Sequence, residues 1–248
     1  MQKNFLLLYE DFLTINKMKW IKSLRGGSTG IGYTFESLLN KKEDRICAPD
    51  YLNIEIKTMR YFSKKKIHLF NSTPNAKDSA SIKEIVSILG YPHRQYPQFK
   101  VFNVSITADK YTHIGYKNLK LKVNHKEKRI ELVNITDYGK TININVFWSF
   151  DVLKDVLYSK LHHLAIVKAY SKKNNETEYF YYSNISFYIL KDFNTFISLI
   201  EKGIIRINFK IGIYTDSNRF GKICDHGTDF SIMEKDINLL FDEVKIYK

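Results

Sequence analysis

The segment APDYLNIEIKTMR (residues 48–60) decides the fold of its region, because the hydrophobic period changes there from that of a helix to that of a strand. Pro49 excludes a helix at the start of the segment. The apolar residues of the alternation that follows are Leu52, Ile54 and Ile56. Glu55 and Lys57 fall on the opposite face, roughly 6–7 Å apart. The sequence therefore predicts a rigid strand that presents an acid and a base, with Asp50 in the turn before it.

These three side chains suit phosphodiester hydrolysis. Two convergent carboxylates, from Asp50 and Glu55, form a hard oxygen site for Mg²⁺, which keeps several waters for contact with a substrate. Lys57 beside them could orient or deprotonate an attacking water and offset the charge that builds on a phosphate. Ordinary surface charge is the alternative interpretation. The same spacing recurs at Glu243 and Lys245 near the C-terminus, where we expect a solvated edge strand.

Composition indicates a soluble protein with an anionic partner. The 248 residues are enough for one large domain or two lobes. Lys and Arg outnumber Asp and Glu by 39 to 26, and the resulting net charge of +13 favours nucleic acid by counterion release, although a lysine-rich proteome would give the same excess. No apolar run approaches a membrane span or a secretory signal. Only Cys47 and Cys224 could form a disulfide, so we expect a reducing, cytoplasmic location.

The rest of the chain mixes helical and extended periods. Ile31, Phe35 and Leu38 recur at helical spacing directly before the alternating segment. Residues 66–70 predict a second strand, which we expect to be an antiparallel neighbour of the first. Further strands are predicted at residues 100–107, 117–124, 129–135 and 204–214. This mixture indicates an α/β fold, or an α+β fold with a mixed sheet.

The run GSTGIGYTFESLLNKKEDRICAPDYLNIEIKT (residues 27–58) resembles the active-site segment of the MvaI/BcnI group of restriction endonucleases. That group belongs to the PD-(D/E)XK nuclease superfamily and is related to the mismatch-repair nickase MutH. The likeness continues in VFWSFDVLKD (146–155), INFKIGIY (207–214) and DHGTDF (225–230). The resemblance implies a restriction-endonuclease-like fold with two lobes around a DNA cleft. We expect residues 1–145 to form mainly the catalytic lobe, and residues 146–248 mainly the DNA-recognition lobe.

The resemblance also implies roles for individual residues. Asp50 and Glu55 would ligate the metal together with the backbone carbonyl of Ile56, and Lys57 would act on the water. Glu36 matches a glutamate that completes the acidic cluster in MutH-like enzymes; a solvated position on the flank of its helix is the alternative. The implied cofactor is Mg²⁺, with Mn²⁺ or Ca²⁺ able to substitute for binding.

Candidate DNA-contacting residues lie in the polar loop from Thr215 to Asp229 and on the strand before it. They are Arg206, Lys210, Arg219, Lys222, Asp225 and His226, together with Gly30 and Gly32, which would either approach DNA or shape a helix start. Arg and Lys can bind guanine O6 and N7, and a carboxylate can accept from cytosine N4. The family pattern has a histidine and an arginine where this chain has Cys224 and Ser231, and an arginine at Lys210. The target sequence is therefore not carried over with the chemistry.

We therefore expect a Mg²⁺-dependent type II restriction endonuclease that acts as a monomer on double-stranded DNA. The family implies a short GC-rich near-palindrome of the CC-N-GG type, and a cognate DNA methyltransferase as a genetic partner only. One alternative is a MutH-like repair endonuclease that nicks one strand. The other is a non-catalytic DNA-binding protein whose acidic cluster is structural.

Overall fold

A computed structural model describes residues 2–39, 49–62, 66–74, 81–136 and 138–246, so Cys47 lies outside the described residues. The helices are α1 (Gln2–Lys17), α2 (Gly30–Leu38), α3 (Ile82–Leu89), α4 (Phe150–Leu161), α5 (Phe193–Glu201) and α6 (Ile237–Leu240). The first seven strands are β1 (Ile21–Lys22), β2 (Glu55–Arg60), β3 (Lys66–Asn71), β4 (Tyr91–Pro92), β5 (Lys100–Ile106), β6 (Thr112–Ile114) and β7 (Lys117–Asn124). The others are β8 (Arg129–Ile135), β9 (Thr141–Ser149), β10 (His163–Asn174), β11 (Thr177–Leu190), β12 (Arg206–Ile213), β13 (Ile223–Asp225), β14 (Asp229–Met233) and β15 (Phe241–Val244). No helix in the described ranges combines the length and apolar character that a membrane crossing requires.

The chain divides into two compact units, each built from separate stretches of sequence. The first unit comprises Met1–Lys65, Val156–Lys191 and Asn238–Lys248, and the second comprises Lys66–Asp155 and Asp192–Ile237. The expected boundary between residues 145 and 146 therefore does not coincide with a boundary between units. A single cut cannot separate them, because the first unit takes two of its long strands, β10 and β11, from a distant part of the sequence.

The sheet of the first unit has the strand order β1-β11-β10-β2, and β15 pairs with β11. β2 runs parallel to β10, with Leu164 opposite Glu55 and Ile166 opposite Lys57. The expectation that residues 66–70 pair with β2 is wrong, because β3 pairs with β14 in the second unit. Glu243 is exposed on β15, as predicted for the C-terminal repeat of the Glu-x-Lys spacing.

One face of this sheet is covered by α1 and α2. The residues of the shared core include Phe5, Leu8, Phe12 and Ile15 of α1, Ile31 and Phe35 of α2, and Ile54 and Ile56 beside them. Their helical and alternating periods bring all of these apolar side chains to one layer. The opposite face of β2 is thereby left to Glu55 and Lys57.

The second unit contains a six-stranded sheet and a four-stranded antiparallel sheet. The first has the order β3-β14-β12-β5-β4, with β13 also on β12, and the second has the order β6-β7-β8-β9. The predicted strands at residues 100–107, 117–124 and 129–135 are confirmed, as is the hairpin that joins β7 to β8. The alternation in β12 is also confirmed, since Ile207, Phe209 and Ile211 are fully buried.

Candidate functional site

A two-residue turn precedes strand β2. Tyr51 and Ile54 exchange both backbone hydrogen bonds, at 3.0 and 2.7 Å, across Leu52 and Asn53. Both central residues have positive φ, 47° and 63°, which is the backbone of a type I′ turn. Leu52 is 43% exposed, so the expectation that it lies on the buried face of the strand is wrong. The strand starts only at Glu55.

Helix α1 holds this turn in place. The Asn4 side-chain amide donates to the Leu52 carbonyl at 2.9 Å, and the Tyr51 hydroxyl donates to Asp11 Oδ2 at 2.5 Å. The bond to Asp11, followed by burial, raises the pKa of Tyr51 to about 12. Asp50 is therefore presented from a turn that is fixed at two points.

The structure brings Asp50, Glu55 and Lys57 together. The Ile56 N–H donates to Asp50 Oδ2 at 2.8 Å, and Lys57 Nζ donates to Glu55 Oε1 at 2.5 Å. Lys160, at the end of α4, adds a second ammonium group 3.7 Å from the same Glu55 oxygen. Two acids and two lysines thus converge at the start of β2.

The Glu55 carboxylate is buried, although the strand pattern predicted only that it faces away from the core. Glu55 is 2% exposed. Burial raises its pKa, Lys57 opposes that effect, and the nearby charge of Asp50 adds to it. Within the described part of the chain, Oε1 is engaged by lysine whereas Oε2 is buried without a hydrogen-bond partner. A buried, unsatisfied carboxylate oxygen beside a second carboxylate fits the hard oxygen donors that Mg²⁺ requires.

Glu36 faces a neighbouring polar cavity. This cavity, of about 340 Å³, is lined by Glu36 and other α2 residues together with Ile56, Lys57 and Thr58. Helix α2 lies close to β2, because a Cβ on Gly32 would be 3.2 Å from Thr58 Oγ1. No three acidic, histidine or cysteine side chains in the described ranges are close enough together to hold one metal ion.

Gly30 is the first residue of α2, in agreement with the interpretation that it shapes the start of a helix. A Cβ at this position would lie 2.3 Å from the Arg25 carbonyl oxygen, so only glycine allows the loop to pass here. Two further hydrogen bonds fix the helix: the Leu24 N–H donates to Thr34 Oγ1, and the buried Tyr182 hydroxyl donates to the Ile31 carbonyl. These contacts determine where Glu36 lies.

Comparison with known proteins identifies the family of this chain. A sequence model described as the MvaI/BcnI restriction endonuclease family matches residues 9–241. The chain belongs to this family. The enzyme class predicted from the sequence, a type II site-specific deoxyribonuclease, and the restriction-endonuclease-like mixed α/β fold are thereby confirmed.

Two solved structures are similar over nearly the whole chain. The structure of the restriction endonuclease MvaI with its cognate DNA substrate is 27% identical, covers 98% of each chain and has a TM-score of 0.86. The structure of MvaI without DNA has the same identity and coverage and a TM-score of 0.62. No curated protein sequence matches the chain.

The second unit of this MvaI/BcnI family member carries the candidate DNA-reading side chains. Arg206 and Lys210 lie on the polar face of β12. The buried Asp229 carboxylate accepts a hydrogen bond from His68 and lies 3.3 Å from Lys210 Nζ. Burial raises the pKa of Asp229. The hydrogen bond to His68 and the charge of His68, helped by Asn208 and Lys210, outweigh burial, so the pKa of Asp229 lies below its usual value.

The loop candidates take two different positions. The Arg219 guanidinium pairs with Asp216 at 2.9 Å and stacks on Tyr214, while Lys222 is exposed beside it. Asp225 is opposite Ile211 in the β12–β13 pairing. His226 donates its backbone N–H to the Lys210 carbonyl, so Asp225 and His226 are next to Lys210.

Three polar residues of these sites were not among the candidates predicted from the sequence. Lys160 lies within an ordinary amphipathic helix, and only the packing of α4 brings it to Glu55. His68 and Asp229 lie on strands far apart in sequence. The sequence signal for His68 is alternation, since it falls on the polar side of its strand. Asp229 ends the polar loop from Thr215 and lies within DHGTDF, but it was not named there as a candidate.

Proposed function

We propose that this family member is a Mg²⁺-dependent endonuclease that hydrolyses phosphodiester bonds of double-stranded DNA at a short GC-rich near-palindrome of the CC-N-GG type. The observation that carries the proposal is the group formed by Asp50, Glu55 and Lys57. Asp50 is bonded to the backbone of the same strand that carries the other two residues, so the three groups share one rigid element. A fixed geometry of this kind is what efficient catalysis requires.

Hydrolysis requires water to attack phosphorus in line with the oxygen that leaves. The water oxygen forms the new P–O bond and gives up a proton to solvent, the bond to the leaving oxygen breaks with its electron pair, and that oxygen takes up a proton from solvent. Lys57 is the residue best placed to orient the water, because its ammonium group is held on Glu55 at 2.5 Å. Its positive charge also offsets the negative charge that develops on the phosphate.

Asp50, Glu55 and the Ile56 carbonyl would hold the metal. The unsatisfied Glu55 Oε2 supports this assignment, since a buried carboxylate oxygen needs a cationic or hydrogen-bonding partner. A bound Mg²⁺ would supply Lewis-acid stabilisation of the phosphate charge. Glu36, which lines the same cavity as Lys57, would hold outer water rather than the ion itself.

DNA as the substrate is supported by charge and by similarity. The net charge of +13 favours a polyanion, and the similar enzyme MvaI has been solved with its cognate DNA substrate. Lys210, Asp225 and His226 would read base edges, because a lysine can bind guanine and a carboxylate can accept from cytosine. Arg219 and Lys222 would contact phosphates. We further propose that the enzyme acts as a monomer in the cytoplasm, with a methyltransferase as its genetic partner.

Plasmid cleavage tests the proposal. Purified protein with supercoiled plasmid and Mg²⁺ should give linear fragments whose ends map to fixed GC-rich sites. Asp50→Ala and Lys57→Ala should abolish cleavage while DNA binding remains. The matched control is the Glu243→Ala, Lys245→Ala double variant, which removes the same spacing from exposed positions near the C-terminus and should cleave normally.

Three outcomes would contradict parts of the proposal. Fragments without fixed ends would exclude site specificity, and nicked circles that never become linear would indicate a strand-selective nickase. Cleavage retained by the Asp50 and Lys57 variants would remove the proposed active site altogether.

A further inference from the structure

Lys160 is the second lysine at Glu55, and the reaction described above gives it no role. Its Nζ is 3.7 Å from Glu55 Oε1, and its side chain is 25% exposed. It occupies the last turn of α4, four residues before Leu164, the residue opposite Glu55 in the parallel strand pair. The connection from α4 to β10 is a single residue, His162. The pairing of β10 with β2 therefore holds Lys160 beside Glu55 at the start of β2.

The ion pair with Glu55 leaves Lys160 able to donate hydrogen bonds to another group. At 3.7 Å the pair is within ion-pair range but beyond hydrogen-bond distance, whereas Lys57 already donates to the same oxygen at 2.5 Å. An ammonium group has three donors. Lys160 therefore brings a positive charge and donors to the site while its partial exposure keeps them accessible.

The charges of the site suggest what these donors bind. Glu36, Asp50 and Glu55 formally carry three negative charges against the two positive charges of Lys57 and Lys160, so a divalent cation would leave an excess of one positive charge. A phosphodiester carries one negative charge, and a second develops as water adds to phosphorus. Without Lys160 no positive excess would remain to meet this charge.

We propose that Lys160 is a catalytic residue that binds a non-bridging oxygen of the scissile phosphate, on the side of Glu55 away from the strand edge where Asp50 lies. This inference rests on the proposed nuclease function. Lys57 orients the water and adds its charge to the site, whereas Lys160 donates directly to the phosphate oxygen, so the two lysines have different tasks. A purely structural role, such as favourable charge at the C-terminal end of α4, is the competing explanation.

Two measurements on Lys160→Met distinguish these roles. Single-turnover cleavage with saturating Mg²⁺ should slow by about 10²-fold, the effect of removing one donor to transition-state charge. Equilibrium binding to an uncleaved target duplex in Ca²⁺ should lose about one unit from the slope of log Kd against log salt concentration, as expected for one lost phosphate contact. Lys160→Arg keeps the charge and should recover most of both quantities.

Lys17→Met is the matched control. Lys17 is the exposed last residue of α1, the helix that covers the other face of the sheet, and its loss also removes one positive charge from a helix end. It should change neither the cleavage rate nor the salt slope.

The measured rate, salt slope and Tm together distinguish a catalytic role of Lys160 from a structural one. A Lys160→Met protein with normal rate and slope overturns the inference, and so does slow cleavage with an unchanged slope and a lowered Tm, which would make Lys160 structural. Slow cleavage with the reduced slope supports it. Absence of cleavage by the wild-type protein would instead refute the nuclease function, and the salt slope would still report whether Lys160 contacts phosphate.

Discussion

Replacing Leu52 by glycine should stabilise the protein. Leu52 occupies the first central position of the turn at φ 47°, where an L-residue with a side chain is unfavourable by roughly 1–2 kcal/mol. Glycine removes this strain but increases the entropy of the unfolded chain, at a cost of about 0.5–1 kcal/mol. Because the leucine side chain is 43% exposed, little packing is lost, and the Leu52 carbonyl that accepts from Asn4 is retained.

The expected net gain is about 0.75 kcal/mol, the difference between the midpoints of these two ranges. For a chain of this length that gain corresponds to a rise in Tm of about 1–4 °C. Differential scanning calorimetry measures it directly. Plasmid cleavage should stay at the wild-type rate, because Asp50 keeps its bond to the Ile56 N–H.

Leu24→Gly provides the control for this prediction. Leu24 is 59% exposed and is not among the residues with positive φ, so glycine there carries only the entropic cost. Its Tm should fall. If Leu52→Gly lowered Tm by as much as Leu24→Gly, the backbone strain assigned to Leu52 would be absent.

Three further predictions concern polar contacts. In the wild-type protein the Asp229 carboxylate contributes stability above its unfolded pKa of about 3.9, and this contribution is lost as the pH falls through the lower folded pKa. Asp229→Asn should remove the contribution. The free energies of unfolding of the two proteins, measured by urea titration, should therefore converge below about pH 4. Trp148→Phe should lower stability by about 2–4 kcal/mol in guanidinium titrations, because the fully buried indole fills the core and donates to the Ser72 carbonyl. Tyr51→Phe should slow cleavage with unchanged DNA affinity, because only the bond that anchors the turn to Asp11 is lost; weakened affinity would contradict this.

Local sequence patterns were sufficient to predict the elements but not their partners. The alternation of β12 predicted its buried residues, because the side chains of a strand point to opposite faces regardless of its neighbours. The parallel partner of β2 is more than a hundred residues away, and no local signal marks it. The strand at residues 66–70 was correct as a strand and wrong as a neighbour for the same reason.

Leu52 shows a different limit of sequence reasoning. The alternation that continues back from Ile54 places it in the strand, and leucine does not signal a turn with positive φ. Contacts from α1, through Asn4 and Asp11, favour the turn instead. For Glu55 the alternation predicted a position on the polar face of the strand but not its burial. The residues around position 55 also give no signal that Lys160 of α4 lies close to Glu55.

The hydrogen bond from the Ile56 N–H to Asp50 has a consequence for solubility. In the part of the chain that the structure describes, β2 is the terminal strand of its sheet, so its outer backbone groups could template another molecule's strand. The Asp50 carboxylate accepts from one of those amides and therefore opposes such strand addition. Asp50→Ala, the obvious inactive mutant for crystallising a DNA complex, would unmask that amide, and Lys57→Ala should prove the better-behaved choice at high concentration.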